Sequence, residues 1–124
     1  MPRKVWTALA VLALLCTWLS AMPAVAGYGA IAWDQTTGKS GWVWNEPTPQ
    51  KAAAGAMREC GISGCKVVIH TDAKQCAALA TTKDGKAAGG AARSTKDAAR
   101  LAALTQCQKR KAGDCILQTS DCNK

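Results

Sequence analysis

The residues of this chain best able to do chemistry are cysteines. Cys60, Cys65, Cys76, Cys107, Cys115 and Cys122 all lie in the second two-thirds of the sequence, and a seventh, Cys16, lies near the start. Thiols at this density make either disulfides or a zinc site. A zinc site wants paired Cys-x2-Cys spacings, and none occurs here. An even count in a short exported chain points instead to a disulfide framework, with 15 possible pairings for six cysteines. His70 is the only histidine, and Asp72 follows it closely. A hydrolase would need that histidine beside a nucleophile and an orienting acid. No serine stands in a nucleophile-elbow context, and the eight acidic residues are scattered. The glycines from Gly85 to Gly90 lack the spacing of a phosphate-binding loop. The expectation is a non-enzyme without cofactor or metal; a weak hydrolase using His70 is the least favoured reading.

Two further sets of residues could carry binding. Trp33, Trp42 and Trp44 fall in one short stretch. If a hairpin closes at Thr37-Gly38, Trp33 lies opposite Trp42 and Ile31 opposite Trp44, and strand alternation puts all four on one face. That face reads either as core filling or as an aromatic patch for a protein or glycan partner. The other set is Lys109-Arg110-Lys111. From Gly27 onward the chain has 14 basic and 8 acidic residues, and the excess falls after residue 82. A basic face steers anionic polymers, lipids or acidic proteins toward it, or simply keeps the chain soluble. Nucleic-acid binding would need aromatics interleaved with the cations, and here they lie in the other half.

The elements that position these residues begin after a leader. Arg3 and Lys4, the apolar run Val5 to Leu19 and the small-x-small Ala24-Val25-Ala26 have the form of a secretory signal covering residues 1–26. At about 15 residues the apolar run is shorter than the roughly 20 of a membrane span. Residues 27–124 then suit one domain, secreted or periplasmic, and Cys16 is discarded with the leader.

That domain repeats itself. Ala52-x3-Ala56-Met57-x2-Cys60 recurs about 47 residues later as Ala99-x3-Ala103-Leu104-x2-Cys107, and Ala30-Ile31-Ala32 recurs as Ala78-Leu79-Ala80. The first copy, about residues 28–74, reads as strands Tyr28–Trp33 and Gly41–Asn45, a helix capped by Thr48 and opened by Pro49 that ends near Glu59, and a strand Lys66–His70. The second, about residues 76–122, reads as strand Ala77–Thr81, a turn at Lys83-Asp84-Gly85-Lys86 and a weak strand Ala87–Ala91. A helix follows from a Ser94-x-x-Asp97 capping box to about Gln106, then strand Cys115–Thr119. In that alignment Leu79, Thr81, Gly89 and Ala91 match Ile31, Trp33, Trp42 and Trp44. The fold class is α+β: a duplicated strand-strand-helix-strand unit forming antiparallel sheet with two helices. Equivalent cysteines doing equivalent work would pair Cys60 with Cys65 and Cys107 with Cys115, leaving Cys76 for Cys122. Alanine and glycine dominate, and phenylalanine is absent. Such a core gains little at roughly 25 cal/mol per Å2, so the cross-links carry part of the stability.

Tyr28-Gly29-Ala30-Ile31-Ala32, Cys76-Ala77-Ala78-Leu79-Ala80 and Cys65-Lys66-Val67-Val68 together resemble the bacterial family called domain of unknown function 4189, over about Tyr28 to Cys122. The resemblance implies an exported α+β domain with a duplicated unit and brings no activity or catalytic set with it. The second copy departs from the family in its lack of aromatics. The functional expectation is a small exported binding protein, an inhibitor, immunity or effector protein acting on an envelope or extracellular protein. The alternative is a cationic module on acidic envelope surfaces. Neither involves nucleic acid, nor a membrane span once the leader is gone.

Overall fold

A computed structural model describes residues 27–110 and 113–124; the expected leader and Lys111 lie outside them. The first copy forms β1 (Tyr28–Trp33), β2 (Ser40–Glu46), α1 (Pro49–Cys60) and β3 (Lys66–Thr71). The second forms β4 (Cys76–Thr82), β5 (Ala88–Arg93), α2 (Lys96–Arg110) and β6 (Cys115–Cys122). Each copy builds its own antiparallel three-stranded sheet, in the orders β2-β1-β3 and β5-β4-β6.

Three apolar clusters explain how these pieces stack. Ala52, Ala56 and Cys60 of α1 pack on Ala30 and Ala32 of β1. Ala99, Ala103 and Cys107 of α2 pack on Ala78 and Ala80 of β4 in the same way. The opposite faces of the two sheets meet each other: Ile31 and Ile69 from one, Ala77, Leu79 and Ala88 from the other. The molecule is therefore four layers, helix, sheet, sheet and helix. Small residues set the spacing of the outer layers. A Cβ on Gly41 would collide with the backbone of Ala56 and Cys60, and one on Gly89 with that of Ala103 and Cys107. Those glycines let each helix lie against its sheet, and they explain how so weak a sequence as Ala88-Gly89-Gly90 is held as a strand.

Local signals account for the helix ends, with two departures from the sequence reading. Thr48 caps α1 by accepting the Lys51 N–H, and Gly61 stops it in a left-handed conformation, φ 83°, its N–H on the Met57 carbonyl. In the second copy the cap is Thr95, which accepts the Ala98 N–H, and not Ser94. The helix then continues past Gln106 to Arg110. No glycine follows Cys107 directly as Gly61 follows Cys60; the next is Gly113. Lys109 and Arg110 thus end a helix, where cations meet its negative pole, instead of lying in the link.

Register also departs from expectation. Ile31 pairs with Trp42 and Trp33 with Ser40, a slip of two residues from a hairpin closed at Thr37-Gly38. Asp34 organises the link between Trp33 and Ser40: its carboxylate accepts the Thr37 hydroxyl and the N–H groups of Thr36 and Thr37. A slip of two preserves the face, so the tryptophans remain together. Leu79 pairs with Gly90 as Ile31 pairs with Trp42, so Gly90 and Ala92, not Gly89 and Ala91, occupy the places of Trp42 and Trp44. Strand β6 runs on to Cys122, which faces Cys76.

The bridges are Cys60–Cys65, Cys107–Cys115 and Cys76–Cys122. The first two tie each helix to the strand after it; the third joins the first and last strands of the second copy. The copies are also joined polar group to polar group. Asn123 is buried, accepting the Asn45 N–H and donating to the Thr71 hydroxyl at 2.6 Å and the Asp72 carbonyl at 3.0 Å. At the hairpin ends Gly38 and Gly85, both at positive φ, touch so closely that a side chain on either would strike the other.

Candidate functional site

The seam between the sheets opens beside Trp33. This ring is half-buried, and its Nε1–H donates to the Gly85 carbonyl at 2.9 Å, across the boundary between copies. Its remaining surface lines three hollows of about 320, 180 and 400 Å3, which also share walls at Val68, Gln35, Ala88 and Arg110. Together they form a cleft in the size range of small-ligand sites.

Trp33, Val68 and Ala88 give the cleft apolar walls, Gln35 and Gln106 give it polar ones, and the rim is cationic. Val68 sits at an irregularity in the pairing of β3 with β1, between Ile69 opposite Ile31 and Val67 opposite Ala32. The irregularity leaves Val68 44% exposed. Lys66, next to Trp33 in the β1–β3 pairing, borders one hollow, while Lys86 and Arg110 border another. All three are exposed and none is in an ion pair with another described residue. Asp34 also lines the cleft, but its turn has already claimed it. The Thr37 hydroxyl above all holds its carboxyl below the ordinary aspartate value; burial opposes this, and the Thr37 and Thr36 N–H groups reinforce it. Gly64, from the loop closed by Cys60–Cys65, presses on that carboxylate so closely that a Cβ would clash with it.

Of the residues singled out in the sequence, the cleft brings together Trp33 and Arg110. Trp42 and Trp44 are half-buried against the core between the sheets, and Lys109 is exposed on the last turn of α2 without bordering the cleft. Lys111 is outside the described residues. His70 is exposed on β3 opposite Ala30. Among the described residues no group of three or more His, Cys, Asp and Glu is placed to hold a metal ion. Lys66, Val68 and Lys86 carry no binding signal in the sequence. Lys86 belongs to a turn of the second copy that reaches Trp33 only because the two sheets dock, and nothing local in the sequence signals that.

Comparison with known proteins adds kinship. The chain is similar to the Uncharacterized protein Rv1813c of Mycobacterium tuberculosis and the Uncharacterized protein Mb1843c of Mycobacterium bovis, 43% identical to each over 47 residues. The aligned part is 38% of this chain and 32% of each relative, so it spans about a third of their length. The NMR structure of Rv1813c from Mycobacterium tuberculosis is similar over 82% of this chain and 78% of that one, with a TM-score of 0.54 and 30% sequence identity. A family model described as Domain of unknown function (DUF4189) matches residues 28–122, from the first strand to the last. The chain belongs to the DUF4189 family.

Proposed function

We propose that the processed chain is an exported binding protein whose partner is a protein in the envelope or outside the cell, and that it acts as an inhibitor, immunity partner or effector without catalysis of its own. The observation that carries this reading is the Trp33 cleft: an aromatic ring and an exposed valine, ringed by cations that make no ion pair with another described residue, on a scaffold with three disulfides. Tryptophan and arginine are residue types that dominate binding energy at interfaces. Disulfides persist in oxidising compartments, which supports export, as does the signal-like leader. Among the described residues no helix is long and apolar enough to cross a membrane. Capture from envelope and culture fractions by the purified, oxidised protein tests the reading. A saturable partner, lost on reduction of the disulfides, is expected; repeated absence of any partner overturns it.

A second reading, a cationic module on acidic envelope surfaces, is favoured by the charge excess that ends α2, where Lys109 and Arg110 are both exposed. It predicts binding to anionic vesicles or polymers that weakens steeply with salt and is indifferent to the tryptophans.

A further inference from the structure

The second copy supplies an internal control for the cleft. Pairing with the first strand of each copy matches Trp33 with Thr81, and Val68 with Gln118, because the same irregularity interrupts β4–β6 between Leu79 and Ala80 as interrupts β1–β3 between Ile31 and Ala32. In the second copy these two places bond to each other, although Gln118, like Val68, is exposed. Gln118 Nε2 donates to the Thr81 hydroxyl at 2.8 Å, and Thr81 is 1% exposed. In the first copy the matching places hold an indole and an exposed valine, with no polar contact between them. One backbone arrangement is thus satisfied on one side and left as an open apolar notch on the other.

We propose, building on the binding reading, that this notch is the recognition site for an acidic segment of the partner polypeptide. An apolar side chain of that segment seats between Trp33 and Val68, and flanking carboxylates meet Lys66, Lys86 and Arg110. The charge argument selects carboxylates: the three rim cations lack ion pairs with described residues, and Asp34, the one acid among the described residues that line the cleft, is held by Thr36 and Thr37. The notch itself favours an apolar side chain over a sugar ring. Between Trp33 and Val68 a sugar hydroxyl finds no partner, because the Trp33 Nε1–H is spent on Gly85 and Val68 offers only methyls; the amides of Gln35 and Gln106 stand on the surrounding walls. A hollow of about 400 Å3 accommodates a side chain or two, not a globular surface.

Calorimetric titration of the oxidised protein with a peptide of alternating glutamate and leucine, beside an oligouronate and inorganic phosphate, tests this. The peptide is expected to bind, with Lys86→Ala plus Arg110→Ala weakening it about tenfold and Lys51→Ala, remote on α1, less than about twofold. Trp33→Thr plus Val68→Gln writes the closed pair of the second copy onto the first, and abolishes binding while circular dichroism stays unchanged. Should that double variant unfold, Val68→Gln alone, at an exposed position, is expected to weaken the peptide several-fold. Equal losses from Lys51→Ala, or oligouronate or phosphate binding as tightly as the peptide, overturn the proposal. If an envelope partner is captured equally by wild type and by the Lys86→Ala, Arg110→Ala variant, the cleft is wrong and the binding reading survives.

Discussion

The two copies of this unit share a backbone and are held shut by different means. The first closes with bulk: Tyr28 packs on the α1 side, and Trp33, Trp42 and Trp44 fill the space between sheets. The second offers Thr81, Gly90 and Ala92 to that same space, and where the first begins on Tyr28 it begins on Cys76. The bridge that Cys76 makes to Cys122, across paired positions of β4 and β6, has no counterpart in the first copy. A loop of 46 residues closed this way is worth about 4 kcal/mol in the chain-entropy account. That is the scale of two half-buried aromatic side chains at about 25 cal/mol per Å2. A unit can evidently exchange apolar burial for a covalent link without altering its strand order.

The sharpest way to break this comparison is to remove bridges in turn. Cys76→Ala with Cys122→Ala is expected to lower the unfolding free energy by about 4 kcal/mol, and Cys60→Ala with Cys65→Ala by about 2. Guanidinium midpoints measure both, and equal losses would show that the long bridge does not stand in for aromatics. Next in size, Trp44→Ala should cost about 2 kcal/mol, while Ala92→Ser at the matching place costs less than about 0.5. Thermal unfolding that finds the two alike would remove the claim that bulk holds the first copy. Smaller still, Thr48→Ala and Thr95→Ala should each cost about 1 kcal/mol, with Ser94→Ala near neutral. Here the copies are expected to behave identically. The last test is set by pH. Asp34 titrates below its ordinary value in the folded chain, so its contribution is present above that value and lost as pH falls through the lowered one. The stability gap between wild type and Asp34→Asn is therefore widest near neutrality and closes as the solution is acidified below pH 3.8.

Much of the architecture was legible because it is written in local chemistry. Repeated Ala-x3-Ala-x3-Cys stripes specify helices that lie close to a sheet, and Thr48-Pro49 and Gly61 mark helix ends through hydrogen bonds within a turn. What escaped depends on distant atoms or on close competitors. Thr95 and Ser94 are adjacent and both can cap, and the choice falls one residue later than the Ser-x-x-Asp pattern implies. The β1–β2 register differs by two because Asp34 draws Thr36 and Thr37 into its own turn. Of the candidate site, Trp33 and Arg110 were visible as residue types. The cleft was not, since its walls come from β1, β3, the β4–β5 turn and the end of α2, which meet only when one sheet lies on the other.

The sheet-on-sheet contact makes each copy the cover of the other. Without the second copy, Ile31, Ile69 and three half-buried indoles of the first would face water; without the first, Leu79 and Ala88 of the second would. Because the two halves of this mutual cover are not identical, one can carry the Gln118–Thr81 hydrogen bond at the place where the other presents Val68 and Trp33.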